Sequence, residues 1–170
     1  MSEIRTTPLH AIHEESGARM MPFAGYDMPV QYDGILAEHA RVRTRVGLFD
    51  VSHMGEVRFQ GPDAIDAVNR LITNDLERIG EGRAMYTCTC AEDGTIVDDL
   101  IVYRLAPDEV LICVNASNRA TDVAHFRTHV TGDVRITDES DDWAQIAVQG
   151  PGAPELLGRV LSPELAELRP

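Results

Sequence analysis

Two adjacent carboxylates, Asp98 and Asp99, interrupt a segment that otherwise has the composition of a β-strand. β-branched and apolar residues dominate the rest of positions 94–103, and Asp is a poor strand former. Because successive strand residues point to opposite faces, one carboxylate can face solvent while the other points inward. An inward carboxylate costs several kcal/mol, on the order of a buried ion, unless it is paired, hydrogen-bonded or protonated. We therefore expect one of the two to point into a site, where it stabilises a developing cation or accepts a proton.

Other polar side chains give weaker signals. His53 follows Ser52 directly, but the members of a catalytic triad meet in space and not in sequence, so Ser52 is expected to be a turn or cap hydroxyl. His125 and His129 lie four residues apart on a predicted helix, a spacing compatible with a metal ion. No third ligand follows at a recognisable spacing, so we expect a solvated helix face and predict no metal site.

Two amides, Asn115 and Asn118, flank a predicted junction between a strand and a helix. An Asn in that place is often only a helix cap. Because this strand follows the one that carries the two carboxylates, Asn115 could instead present its amide to a ligand. Both interpretations stay open on the residues alone.

Length and composition predict a globular protein with a packed core. The chain has 170 residues, of which 44% are hydrophobic, enough for one ordinary domain or two small ones. No apolar run approaches the ~18 residues of a membrane span, and the N-terminus lacks an apolar signal segment. Three cysteines are too few for a disulfide scaffold. We expect a protein of the reducing cytoplasm with no membrane partner.

The charge excludes one class of partner. The net charge is −13 and the fifteen basic residues are all arginine, so the mean field repels a nucleic-acid backbone. Two explanations of the acidity compete. An acidic surface suits high salt, where screening removes the self-repulsion, and a GC-rich genome replaces lysine by arginine. The excess of Asp and Glu favours the first, and neither explanation identifies a ligand.

The predicted elements give an α+β fold in three segments. We expect residues 1–50 to form the first part of a discontinuous domain, residues 51–139 a compact α+β domain with a mixed or mainly antiparallel sheet, and residues 140–170 an incomplete return into the first domain. Over 56–138 the predicted order is strand, helix, three strands, helix, strand, and Asp93-Gly94 marks a hairpin turn between two of the strands.

A sequence motif that occurs twice in the chain predicts two similar structural units. Gln-Gly-Pro occurs at 60–62 and again at 149–151, each time between a predicted strand and a predicted helix. The one strand and one helix of the second unit cannot bury both their apolar faces, so the chain is expected to be truncated or completed by another polypeptide. Near the N-terminus, Thr6 or Thr7 before Pro8 predicts a capped helix, and Gly47 is expected just past the end of a helix over 35–46.

An apolar and aromatic loop over 22–34 has two interpretations. It contains Phe23, Tyr26, Met28 and Tyr32. The loop either packs over a core or lines a site for an aromatic ligand.

Six blocks of sequence, taken together and in order, closely resemble the glycine cleavage system T-proteins, the tetrahydrofolate-dependent aminomethyltransferases. Each block alone is modest, but the ordered set is very specific, and the similarity extends from about Thr6 to the last residue. The blocks are 7–9, 23–29, 47–56, 71–75, 98–103 and 114–116.

The resemblance implies an activity, a co-substrate and a partner. Members of the family move a methylene group from an aminomethyl-lipoyl arm on H-protein to tetrahydrofolate, and ammonia leaves. They have three domains around a central folate site and are roughly twice as long as this chain. The resemblance therefore implies a truncated three-domain folate-binding architecture, and the fragment alone is expected to bind folate poorly or to be inactive.

The same resemblance implies the site residues. Asp99 matches the essential carboxylate of the family, so we expect Asp99 to be the inward-pointing acid beside the reacting folate nitrogens. Met54, Tyr86 and Asn115 match positions that line the folate pocket. Two other functions stay open: another folate-dependent one-carbon enzyme, such as a demethylase or the folate lobe of a dimethylglycine-type dehydrogenase, and a non-enzymatic folate-binding iron–sulfur assembly factor.

Overall fold

The chain, described here over residues 4–167 as a computed structural model, divides into two compact units. One unit comprises Met1–His53 and Ala144–Pro170, and the other comprises Met54–Trp143. The expected boundaries after residues 50 and 139 lie close to these limits; their assignment to domains of a larger fold stays a prediction. The helices are α1 His10–Glu15, α2 Ile35–Thr44, α3 Ala64–Asn69, α4 Arg119–His129 and α5 Ala153–Val160. The strands are β1 Arg19–Phe23, β2 Tyr26–Gln31, β3 Gly47–Asp50, β4 Gly55–Gln60, β5 Arg83–Cys90, β6 Ile96–Ala106, β7 Glu109–Val114, β8 Arg135–Asp138 and β9 Ile146–Gln149.

The unit Met54–Trp143 is built on one antiparallel sheet with the strand order β5-β6-β7-β4-β8. The predicted α+β class is confirmed, and its elements follow one another in the predicted order. Helices α3 and α4 pack on one face of this sheet, where rings of Phe59 and Phe126 meet edge to face at 5.5 Å. The core comprises alternate strand residues and the inner sides of the two helices: Val57, Phe59, Leu100, Val102, Val110, Ile112, Val114, Ala64, Ile65, Val68, Val123 and Phe126.

The hairpin between β5 and β6 sets the register of the carboxylates. Gly94 has φ +85°, a conformation that favours glycine, and the side chain of Asp93 accepts a hydrogen bond from the Thr95 amide at 2.9 Å. The resulting register places Asp99 opposite Cys88 and Asp98 opposite Thr89. A turn predicted from local sequence thus determines which residues neighbour the two acids.

The other unit contains two small antiparallel sheets, the hairpin β1-β2 and the pair β3-β9. The strand of the second Gln-Gly-Pro copy, β9, pairs with β3. Two local predictions here are wrong. Thr7 does not cap α1, because its hydroxyl donates to Asp50 Oδ2 at 2.6 Å. Gly47 does not end α2 but begins β3, where Val42 leaves no room for a Cβ.

Among residues 4–167, no helix is both long and apolar enough to cross a bilayer.

Candidate functional site on the open face of the sheet

Strand β6 places the two carboxylates on opposite faces of the sheet, and Asp98 is the buried one. Asp98 is 4% exposed and shares the core face with Leu100 and Val102, whereas Asp99 is exposed on the face opposite the helices. The expectation that Asp99 points inward is therefore wrong. The reason is the two-residue period of the strand: once Leu100 and Val102 enter the core, Asp98 must follow them.

The Asp98 carboxylate stays ionised because it accepts hydrogen bonds from three N–H groups. The Asn115 backbone N–H donates to Asp98 Oδ2 at 3.0 Å, and the side-chain amides of Asn115 and Asn118 donate to Oδ1 at 2.9 and 2.7 Å. Burial by itself raises the pKa of Asp98, but these hydrogen bonds stabilise the anion more and leave the pKa below its ordinary value. Asp98 is thus an anchor for the junction between β7 and α4.

Asn115 connects the buried acid to the exposed one. Its Nδ2 also donates to the backbone oxygen of Asp99 at 2.9 Å and lies 3.2 Å from Asp99 Oδ1. Asn115 directly follows β7, the strand paired with β6, so its amide reaches both acids from one position. Its amide is thereby held on the sheet face that carries Asp99.

Tyr86 completes a cluster around Asp99. Its hydroxyl donates a hydrogen bond to Asp99 Oδ2 from β5, on the other side of β6. This hydrogen bond, more than any other cause, raises the pKa of Tyr86, so the phenol remains a neutral donor at physiological pH. Met54 precedes β4, and the register of Gly55 opposite Val114 places Met54 beside Asn115. All four residues named by the resemblance therefore lie on four neighbouring strands or directly next to them, in one unit.

Glu56 is a titratable group on this face that the sequence did not single out. It is 4% exposed, and its Oε1 has no hydrogen-bond partner in the described chain. Burial raises the pKa of Glu56 to about 7; Asp138 adds to this shift and Arg119 opposes it. The alternation of Glu56 and Arg58 with the core residues Val57 and Phe59 was the available signal. An acid that titrates near neutrality can exchange protons under physiological conditions.

The remaining candidate residues take structural roles. In the unit that contains them, Ser52 Oγ accepts from the Gln145 amide at 2.9 Å, and the His53 ring lies between Phe23 and Tyr26 at centroid distances of 5.7 and 6.1 Å. Burial lowers the pKa of His53. No group of three or more His, Cys, Asp or Glu side chains within residues 4–167 could hold a metal ion.

Part of the aromatic loop packs within its own unit, as the first interpretation predicts, whereas the second, a site for an aromatic ligand, stays a prediction. Tyr26 and Met28 are buried in their own unit, whereas Phe23 and Tyr32 are exposed. Tyr32 and His13 are joined through the hydroxyl and Nδ1 at 2.6 Å, and His13 Nε2 lies 2.9 Å from Asp50 Oδ2. These side chains line a cavity of about 520 Å³ within that unit.

Comparison with known proteins gives consistent matches along the chain. A family profile described as GCVT N-terminal domain matches residues 9–168. The chain is 54% identical over 166 residues to the aminomethyltransferase of Rubrobacter xylanophilus, covering 97% of this chain and 44% of the relative. It is 51% identical to the aminomethyltransferase of Bdellovibrio bacteriovorus, covering 98% and 46%.

A solved structure agrees with these matches. The crystal structure of the glycine cleavage system aminomethyltransferase T from Bartonella henselae superposes with a TM-score of 0.88 at 33% identity, covering 92% of this chain and 44% of that one. The chain thus spans about half the length of the curated relatives it matches.

Proposed function

This chain belongs to the family of the GCVT N-terminal domain, and we propose that it forms the Asp99-bearing part of a glycine cleavage T-protein. The proposed reaction transfers a methylene group from the aminomethyl-lipoyl arm of H-protein to tetrahydrofolate. Two new carbon–nitrogen bonds form on the folate, the bonds from the methylene carbon to sulfur and to the amine break, and the two displaced N–H protons leave on the thiol and on ammonia.

One observation carries this proposal. Asp99, Tyr86 and Asn115 form a hydrogen-bonded cluster on the face of the sheet that the helices leave free. An exposed carboxylate whose two oxygens are already oriented by a phenol and an amide is positioned before any ligand arrives. Orientation of this kind is what a transferase requires of a charged group.

The chemistry of the cluster fits a reduced pterin. Tetrahydrofolate supplies N–H groups and basic nitrogens that receive the carbon, and a carboxylate is a suitable acceptor for such donors. The face also offers the apolar side chains of Met54 and Ile101, against which a flat ring can pack. Because Asp99 lies on the open face, the proposed ligand must lie over the sheet and not within its core.

Each side chain has a separate task in this mechanism. Asp99 keeps a fixed negative charge beside the nitrogens and stabilises the positive charge that develops as the amine departs. Tyr86 and Asn115 hold the carboxylate so that little reorganisation accompanies the reaction. Asp98 acts from beneath the sheet by fixing Asn115.

The two alternative functions are not favoured. The curated relatives reported above are named aminomethyltransferases at 54% and 51% identity, over nearly the whole of this chain. A demethylase, a dehydrogenase lobe or an iron–sulfur assembly factor would share the fold, but no observation on this chain supports one of them.

A chimera tests the function without depending on the activity of the isolated chain. The matching portion of the Rubrobacter enzyme is replaced by this chain, and glycine cleavage is measured with H-protein and tetrahydrofolate. We expect the chimera to be active and Asp99→Asn to lower its kcat/KM by about 100-fold or more, because neutralising one oriented group at a developing charge typically costs ~3 kcal/mol.

The control is Asp108→Asn, which neutralises an exposed carboxylate in a turn of the same unit. It should retain the activity of the unmodified chimera. A well-folded Asp99→Asn chimera with near-normal turnover would refute the assignment of Asp99, and an inactive but folded parent chimera would refute the proposed function itself.

A further inference from the structure

A second buried acid lies beneath the site. Asp122, on helix α4, is 0% exposed, and neither of its carboxylate oxygens meets a hydrogen-bond donor in the described chain. An ionised carboxylate in that position would be both desolvated and unpaired, one of the most unfavourable states for a side chain. The neutral acid escapes this problem because its O–H can donate.

Asn118 links Asp122 to Asp98. Asp122 lies one helical turn after Asn118, whose side-chain amide donates to Asp98 Oδ1 and whose backbone oxygen accepts from the Asp122 amide at 2.9 Å. Burial, followed by the hydrogen bond to Asp98 and by the negative charge of Asp98, raises the pKa of Asp122 to about 8. The pKa of Asp98 is shifted the opposite way, in part by its hydrogen bond with Asp122. Two adjacent carboxyl groups with opposite shifts are a pair in which one holds the proton.

Within residues 4–167, no ion pair joins Asp98 or Asp122 to a basic side chain. Asp98, from β6, is the charged group that acts on Asp122. Among the other charged or titratable groups of α4, Arg119 pairs with Asp138 and Asp141, the rings of His125 and His129 lie 4.2 Å apart, and Arg127 is exposed.

We propose that Asp122 and Asp98 share a single proton, and that Asp122 is a positioning residue for Asp99. In this proposal the Asp122 O–H donates to Asp98. Asp98 in turn accepts from the Asn115 backbone and side chain, and Asn115 Nδ2 contacts the backbone and carboxylate of Asp99. The proton therefore prevents repulsion between two buried anions and keeps Asp98 free to orient Asn115. The effect on tetrahydrofolate rests on the proposed function, whereas the shared proton does not.

Infrared spectroscopy tests the proton directly on this chain. At neutral pH, we expect the Asp122→Asn spectrum to lack a carboxylic acid C=O band that the wild-type spectrum shows. Asp66→Asn, an exposed acid on helix α3, should leave the band in place, and so should Glu56→Gln, which removes the other buried acid with a raised pKa. Identical bands in wild type and Asp122→Asn would overturn the proposal.

The pH dependence of unfolding gives an independent measurement. Because the folded chain holds the Asp122 proton more tightly than the unfolded chain does, the contribution of Asp122 to stability is complete below its ordinary pKa of 3.8 and is lost as the pH rises to about 8. Asn donates to Asp98 but never ionises. We compare the equilibrium constants for unfolding of wild type and Asp122→Asn. Their ratio, wild type over variant, should rise by up to about tenfold per pH unit between pH 3.8 and about 8. A ratio independent of pH would contradict the proposal.

Positioning is tested by comparing Asp122→Asn with Asp122→Leu, which has no donor. The side-chain amide resonances of Asn115 should keep their dispersed NMR positions in Asp122→Asn and move toward those of a solvated amide in Asp122→Leu. In the Rubrobacter chimera, Asp122→Leu should lower kcat for methylene transfer by tenfold or more, and Asp122→Asn should restore most of it. Unchanged Asn115 resonances in a folded Asp122→Leu variant would overturn the positioning role, whatever the activity of the chimera.

Discussion

The adjacent acids Asp98 and Asp99 of strand β6 lie in different environments. Asp98 is enclosed by donors on the core side, whereas Asp99 faces outward within a cluster that Tyr86 and Asn115 orient. A carboxylate buried among hydrogen-bond donors and a carboxylate exposed on the open face are therefore one residue apart, because successive strand residues point to opposite faces. Substitutions at the two positions should have different consequences.

Asp98→Ala should destabilise the chain by ~3 kcal/mol, because the amides of Asn115 and Asn118 lose a buried acceptor. Asp99→Asn should change the free energy of unfolding by no more than about 0.5 kcal/mol, because the side chain is exposed. Urea unfolding monitored by circular dichroism compares the two variants. Equal losses of stability in the two variants would contradict the prediction that Asp98 stabilises the fold and Asp99 does not.

Glu56→Gln should remove a pH dependence of stability. The folded pKa of about 7 lies above the ordinary value of 4.5, so the contribution of Glu56 is complete below pH 4.5 and is lost as the pH rises to about 7. The stability of the variant relative to wild type should therefore increase with pH, by up to ~3 kcal/mol in total. Urea titrations across this range measure it, with the exposed Glu92→Gln as the control that should follow wild type.

At the scale of elements, the repeated Gln-Gly-Pro turn has one physical cause in both copies. Gly61 and Gly150 have φ values of +143° and +119°, a region that side chains other than glycine rarely adopt. A Cβ on Gly61 would lie 2.1 Å from the Asp133 oxygen, and one on Gly150 would lie 2.6 Å from the Arg45 oxygen. Each turn therefore brings a neighbouring backbone segment against the start of a helix.

Gly61→Ala should destabilise the unit Met54–Trp143 by ~3 kcal/mol, because both the positive φ and the approach of the Asp133 oxygen exclude a Cβ. Gly80→Ala is the matched control, since a Cβ there meets nothing within 4 Å and the residue does not have a positive φ. Thermal unfolding should show a large decrease in Tm for the first variant and almost none for the second. Equal Tm values would mean that the loop before α3 relaxes without strain.

At the scale of the whole molecule, the dominant property is charge. The net charge of −13 is spread over 170 residues without any lysine, so self-repulsion opposes folding at low ionic strength. Ion pairs such as Arg119 with Asp138 and Arg58 with Glu139 offset part of it. Salt should therefore stabilise the chain.

Raising the salt concentration from about 0.1 to 1 M shortens the Debye length from about 10 to about 3 Å, which screens repulsion between surface carboxylates. We expect Tm at pH 7 to rise by on the order of 5 °C. The control is the same titration near the pI of about 4.7, where the net charge is small and the gain should shrink. An equal rise at both pH values would indicate general salting-out instead of charge screening.

The sequence by itself determined the α+β class, the order of the elements in the unit Met54–Trp143 and the hairpin that bears the acids. These follow from short-range signals, namely the alternation of side chains, the Asp93-Gly94 turn and proline at helix starts. The family resemblance singled out Asp99, Tyr86 and Asn115, and the structure shows that they form a cluster because β5, β6 and the end of β7 carry them. Their role toward folate stays a proposal.

Only the tertiary structure decided which acid is buried. The residues after the pair are apolar on both faces, Ile101 and Tyr103 as well as Leu100 and Val102, so alternation alone could not choose. The choice is made by α3 and α4, which cover the face that carries Asp98. The same packing brings Asp122 to Asp98 across 24 positions of sequence, and side-chain pKa values depend on such burial as well as on residue type.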